Sequence, residues 1–141
     1  MTPDTLFSIV NSIALVSWLA LIARPRHAWV MRWCGTVAPM GFALVYVTLI
    51  AMRFGRTRGG FDSLAGVAAL FQDPWILLAG WVHYLAFDLL VGVWEVRDAE
   101  SHGVPRGRLV FCLVLTFLFG PAGWLLYRVL RQAAVGARTA D

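Results

Sequence analysis

The sequence predicts an all-α integral membrane protein, a four-helix bundle with a short helix lying at the interface between the second and third spans. Three observations predict it. Sixty per cent of the 141 residues are apolar and only 14% are charged, against roughly 25% charged in soluble domains. A chain this short has too little interior to hide that much apolar surface, so lipid is the expected solvent. The apolar residues also fall into four runs, each long enough for a hydrocarbon core of ~30 Å, which takes ~20 helical residues. Residues 1–141 therefore read as a single transmembrane domain.

The first run covers about Leu6 to Ala23 and stops at Arg24-Pro25-Arg26. The start, MTPDTLF, carries Asp4 where a signal peptide has positive charge, so this run reads as a retained span. Between Arg26 and Arg32 the pattern predicts a short hydrophilic turn, with Trp29 and Trp33 as interface anchors. The second span runs from Cys34 to about Met52, with Pro39 in its first turns, where a missing N–H costs least. A glycine-rich basic stretch, FGRTRGGFD, follows. Leu64, Val67, Leu70 and Phe71 then recur at helical spacing, which predicts the short interfacial helix.

Asp73 as N-cap and Pro74 as first helical residue open the third span, which continues to about Val96. The fourth runs from Leu109 to about Tyr127. Its Gly120-Pro121-Ala122-Gly123 should kink it or open its backbone, which lipid tolerates only where neighbouring helices cover the break. The tail from Gln132 is expected to fray.

Four spans would put both termini on one side. Arg53, Arg56, Arg58, Arg128, Arg131 and Arg138 then face Arg24, Arg26, Arg32, Arg97, Arg106 and Arg108 across the bilayer, an even split that leaves orientation open. The basic residues are all arginines and form short clusters with no stripe along a helix, which argues against nucleic acid as a partner. Cys34 and Cys112, inside apolar runs and without a CxxC pair, read as small buried hydrophobes.

The chemistry concentrates in the third span. An ionisable residue inside a span costs ~2.5–3.5 kcal/mol, so each needs a reason, and GWVHYLAFDLLVGVWE holds His83, Asp88 and Glu95. At ~100° per residue Asp88 and Glu95 share a face with Trp81 and Tyr84, while His83 stands roughly 140° from Asp88. The two can flank one cavity only if this helix is central. A carboxylic acid in a dry site suits proton donation, and histidine is the natural partner base. His83 and Asp88 are therefore the candidate catalytic pair. Asn11, Trp81, Tyr84, Phe87 and Glu95 are candidate substrate-binding residues, the aromatics as walls of a slot for a long flat polyene.

The competing reading is that these polar groups only fasten helices, with Asn11, Ser12, Ser17 or Tyr46 as partners. Glu95, near the span end, would reach the interface, and Asn11 would bond the third span. A third reading joins His83 to Asp88, Glu95 or Asp98 as hard metal ligands, but no HxxH or ExxH pair supports it, so no metal ligand and no cofactor are assigned. His27 and His102 read as solvated loop residues, as does the whole stretch from Asp98 to His102. No GxSxG, P-loop or dinucleotide fingerprint is present.

Three stretches together resemble a known family. Asn11, Trp18 and Pro25 in and after the first span, GWVHYLAFDLLVG in the third, and CLVLTFLFGPAGWLLY in the fourth are similar to the abscisic-acid-deficient-four-like family of small four-helix membrane proteins. Plant members are required to form neoxanthin from violaxanthin. The resemblance implies a membrane protein that acts on or binds carotenoids or retinoids, and it carries over to Asn11, His83, Asp88, Pro121 and Gly123. It implies an isomerase-type acid–base conversion, with a non-enzymatic carotenoid-binding or accessory role and a metal-dependent enzyme as alternatives. A short chain without a transit-type leader points to a bacterial inner membrane. Gly80 and the Gly120/Gly123 pair permit close contacts within a chain or in a homo-oligomer.

Overall fold

The computed structural model describes residues 1–138, with side chains through Ala133. The described chain is all helical. Helix α1 spans Pro3–Ala23, capped by the Thr2 hydroxyl on the Thr5 N–H. Helix α2, Ala28–Arg32, runs through one π-helical turn, Trp33–Val37, into α3, Ala38–Arg53, so that Ala28–Arg53 is one rod. The polar turn expected up to Arg32 is therefore helical from Ala28. Pro39 explains the π turn: its ring would clash with the carbonyl four residues back and it has no N–H to offer, so the preceding turn widens to five-residue bonding. Trp33, expected as an interface anchor, points inward and donates from Nε1 to Ser17 Oγ at 2.9 Å.

The segment expected at the interface forms a short helix, α4, Leu64–Leu70, with the Ser63 hydroxyl accepting from the Gly66 N–H. Asp73 Oδ1 accepts from the N–H groups of Trp75 and Ile76, and from there α5 runs Pro74–His102. It ends at Gly103, whose φ of 64° is the left-handed conformation that glycine supplies at no steric cost. This helix is 29 residues long and carries the third span six residues past Val96. It is the axis of the molecule, packed against α1, the α2–α3 rod and the two helices that follow.

The expected fourth span is not one helix. It divides into α6, Arg106–Phe119, and α7, Pro121–Arg138, at Gly120, whose φ of 47° and ψ of −101° end α6. Among the described residues three helices are long and apolar enough to cross a membrane, namely α1, the Ala28–Arg53 rod and α5. The break does not kink the chain forward; it reverses it. Gly123 lies against the Thr116 backbone, and a straight helix would hold residues seven apart at roughly 10 Å. Contacts along α5 give the direction of α7. Gly120 packs on Asp88, Trp124 and Tyr127 on Trp94, and Arg131 on Asp98 and His102. So α6 rises from the far end of α5 to about its middle, and α7 returns to the same end.

The consequence is a changed topology. Phe7 sits on Trp81 near the start of α5, and Arg106 reaches Ala23 at its end, so α1 and α5 run in the same direction. Met1 and the described end of α7 therefore lie at opposite ends of the bundle, not together. The tail expected to fray from Gln132 is helical through Arg138, and residues 139–141 lie outside those described.

Two features of the interior set the packing. Gly92 of α5 leaves room for the Trp18 ring, which is 1% exposed; a Cβ there would stand 2.6 Å from that ring. Cys34 and Cys112 are buried and unpaired as disulfides. The outward faces of the long helices carry Leu15, Leu19, Leu44, Val47 and Phe87, an apolar exterior suited to an apolar surround.

Candidate functional site

Asp88 lies near the middle of α5, 8% exposed, under the α6–α7 turn. A Cβ on Gly120 would stand 2.9 Å from Asp88 Oδ1 and 3.7 Å from the Tyr84 ring, so the bare glycine lets the turn close over the carboxylate. Tyr84, one turn earlier on the same helix, stands beside Asp88 under the same turn. The third-span and fourth-span motifs, some thirty residues apart in sequence, thus meet at this carboxyl group.

Two cavities open beside it. One of about 390 Å³ is lined by His83, Tyr84, Phe87, Asp88, Gly120 and Trp124, among others. The other, about 600 Å³, lies between α1 and α5 and is lined by Asn11, Trp18, Trp81, Tyr84, Asp88 and Phe117, among others. Both volumes fall within the few hundred to a thousand Å³ usual for small-molecule sites. Tyr84 and Asp88 belong to both walls.

The central position of α5 resolves the angular separation of His83 and Asp88: each flanks the same cavity although the two do not stack. His83 is exposed on the helix surface, with its ring 5.5 Å from Tyr46 and 4.8 Å from Phe87. Asn11 Oδ1 accepts a 2.8 Å hydrogen bond from Trp81 Nε1, which ties α1 to α5 across the mouth of the larger cavity. Trp81 in turn lies between Phe7 and Tyr84, at 5.9 and 5.3 Å. Of the candidate substrate-binding residues, Tyr84 and Phe87 line the smaller cavity, and Asn11, Trp81 and Tyr84 the larger.

Glu95 stands apart from both. It is fully buried, not at an interface, because α6 and α7 fold back over the lower half of α5. Its Oε1 accepts a 2.9 Å hydrogen bond from the Thr116 hydroxyl, and its Oε2 has no hydrogen-bonding partner among the described residues. A half-satisfied buried carboxyl group costs about 1–3 kcal/mol.

The stretch expected as a solvated loop is the last turn of α5, and it forms a network with α7. The Tyr127 hydroxyl donates to Asp98 Oδ2 at 2.6 Å, Arg131 Nε pairs with the same oxygen at 3.2 Å, and Arg131 Nη2 meets His102 Nε2 at 2.8 Å. Sequence reasoning misses this set, because only the returning direction of α7 brings its members together. Among the described residues no three His, Cys, Asp or Glu side chains gather as a metal-binding group. Of the candidate ligands, only His83 and Asp88 border one cavity; Glu95 and Asp98 are engaged with Thr116 and Arg131, away from it.

No curated protein and no solved structure matched the chain. A family model described as ABA DEFICIENT 4-like matches residues 5–127, which takes in α1, the α2–α3 rod, α5, α6 and the first turns of α7. The chain belongs to the ABA DEFICIENT 4-like family.

Proposed function

We propose that this protein is embedded in a bacterial inner membrane and modifies a carotenoid or retinoid by an isomerase-type acid–base conversion. One observation carries the reading: an ionisable pair, His83 and Asp88, flanks a single cavity walled by Tyr84, Phe87 and Trp124. Ionisable groups kept inside apolar helices are costly, and a shared cavity is the expected return on that cost. Aromatic walls accept a flat conjugated chain by offset stacking, and a mouth facing the apolar exterior suits a substrate arriving from lipid.

For an epoxide-bearing polyene the step balances without a redox partner. Asp88 donates its proton to the epoxide oxygen as the C–O bond breaks, and the oxygen becomes a hydroxyl. The His83 imidazole takes a proton from carbon, and the released C–H electron pair forms the new carbon–carbon double bond. Tyr84 stands beside the Asp88 carboxyl group, and the turn at Gly120 closes over it. The aromatic neighbours of His83, Tyr46 and Phe87, favour a second reading in which the cavity only holds a pigment.

The test is the pigment profile of a carotenoid-producing host expressing the wild type, His83→Ala or Asp88→Asn. Conversion by the wild type, with unconverted pigment retained by both variants, is the expected result. Bound but identical pigment in all three leaves the binding role in place of the enzyme; three colourless, folded proteins refute both.

A further inference from the structure

A third cavity, of about 470 Å³, lies at the opposite end of α5 from α4, where α1 ends and α6 begins, and it is lined by Ala23, Arg24, Pro25, Arg26, His27, Arg106 and Leu109. We propose that it is a binding site for the phosphate of an anionic phospholipid, of the phosphatidylglycerol type. Arg24, Arg26 and Arg106 line one hollow together with His27, and no acidic residue lines it. The ion pairs among the described residues are both made by Asp98, to His102 and Arg131. Like charges gathered this closely repel one another until an anion enters, and arginine forks match phosphate oxygens in pairs.

The hollow also has the right depth and texture for a lipid. It sits where the apolar stretch of α1 gives way to Arg24-Pro25-Arg26, the level at which headgroups meet a bilayer-spanning helix. Ala23 is exposed at the edge of the hollow, and Leu19 and Leu15, four and eight residues earlier on the same face of α1, are exposed too, an apolar track along which acyl chains would lie. Arg106 is held in place by donating from Nη2 to the Ala23 carbonyl at 2.9 Å, which fixes one guanidinium at the rim before any ligand arrives. Arg24 and Arg26 are exposed on the connection, free to close on a phosphate. A free phosphate offers the same oxygens but no acyl chain for the exposed face of α1, so the two sources are separable.

The experiment uses the full chain purified in phosphatidylcholine-containing micelles. Its melting temperature is followed on adding phosphatidylglycerol, or inorganic phosphate at equal concentration. Phosphatidylglycerol should raise the midpoint by about 5 °C, as a saturating ligand of the folded state does. Inorganic phosphate should not. Arg24→Gln/Arg26→Gln should abolish the shift, whereas Arg56→Gln/Arg58→Gln, on the connection at the other end of the bundle, should keep it. An equal shift with inorganic phosphate assigns the hollow to a free anion and overturns the lipid proposal. So does a shift that survives in the Arg24/Arg26 variant, or no shift in the wild type. Arg106 is left intact because its bond to α1 gives it a structural role.

Discussion

Replacing Gly123 with alanine tests the reversal at Gly120 most directly. The new Cβ would stand 2.5 Å from Thr116 Cα, in conflict with backbone that no rotamer change can move. Overpacking of this kind costs about 1–3 kcal/mol, at the top of that range where the obstacle is main chain. Separating the two helices also draws Thr116 away from Glu95 and removes a hydrogen bond to a carboxyl group, worth about another 1 kcal/mol. The expected destabilisation is about 4 kcal/mol, the sum of the overpacking and the lost bond. Gly41, on the exposed side of α3, is the internal control. A Cβ there meets nothing within 4 Å, so Gly41→Ala should stabilise by up to about 1 kcal/mol through helix propensity alone. The two alanines should therefore differ by about 5 kcal/mol, more than a thousandfold in the folding equilibrium. Unfolding titrations in mixed micelles, followed by tryptophan fluorescence, measure the difference. Equal midpoints for the two variants would show that α6 and α7 do not pack as a hairpin.

Further outcomes follow from the same fold. With α7 turned back, Arg128 and Arg131 join Arg24, Arg26, Arg32, Arg97, Arg106 and Arg108 at one end of α5, leaving Arg53, Arg56 and Arg58 at the other. The positive-inside rule then places the His102 end in the cytoplasm and Met1 across the bilayer. Topology reporters on the two termini should read opposite compartments, and a same-side result would restore a fourth full span. Asp98→Asn removes the charge shared by Tyr127 and Arg131 and should cost about 2 kcal/mol in the same titration, the loss of hydrogen bonds to a charged group. Arg131→Gln, at a more exposed position, should cost less; a larger loss would contradict Asp98 as the centre of the network.

The elements that local pattern controls are legible in the residues themselves. The Asp73-Pro74 start of α5 appears where the N-cap and first-residue preferences put it, and Ser63 opens the short helix α4. The Asn11 bond to the third span is present, made by Trp81. Where pattern and structure part, a partner distant in sequence is responsible. Hydropathy sees the same apolar run whether Gly120-Pro121 bends a helix or reverses it. Glu95 reads as an interface residue when its distance from the span end is counted along one helix, and the hairpin that buries it comes from another. His102 and Asp98 read as solvated for the same reason: their partners, Tyr127 and Arg131, approach only once α7 has returned.

Composition and hydropathy by themselves determined that the chain is helical, that its long helices suit a membrane, and which helix carries the ionisable residues, since each of these depends on residues within a few turns of one another. Tertiary structure alone decided that His83 and Asp88 share a cavity, that Asp88 lies beneath Gly120, and that most of the arginines gather at one end. Those facts depend on the direction in which α7 leaves a single glycine, and that direction is selected by close packing of Gly123 on Thr116 and by the charges at Asp98 and Arg131. A linear sequence records such contacts only as separate residues.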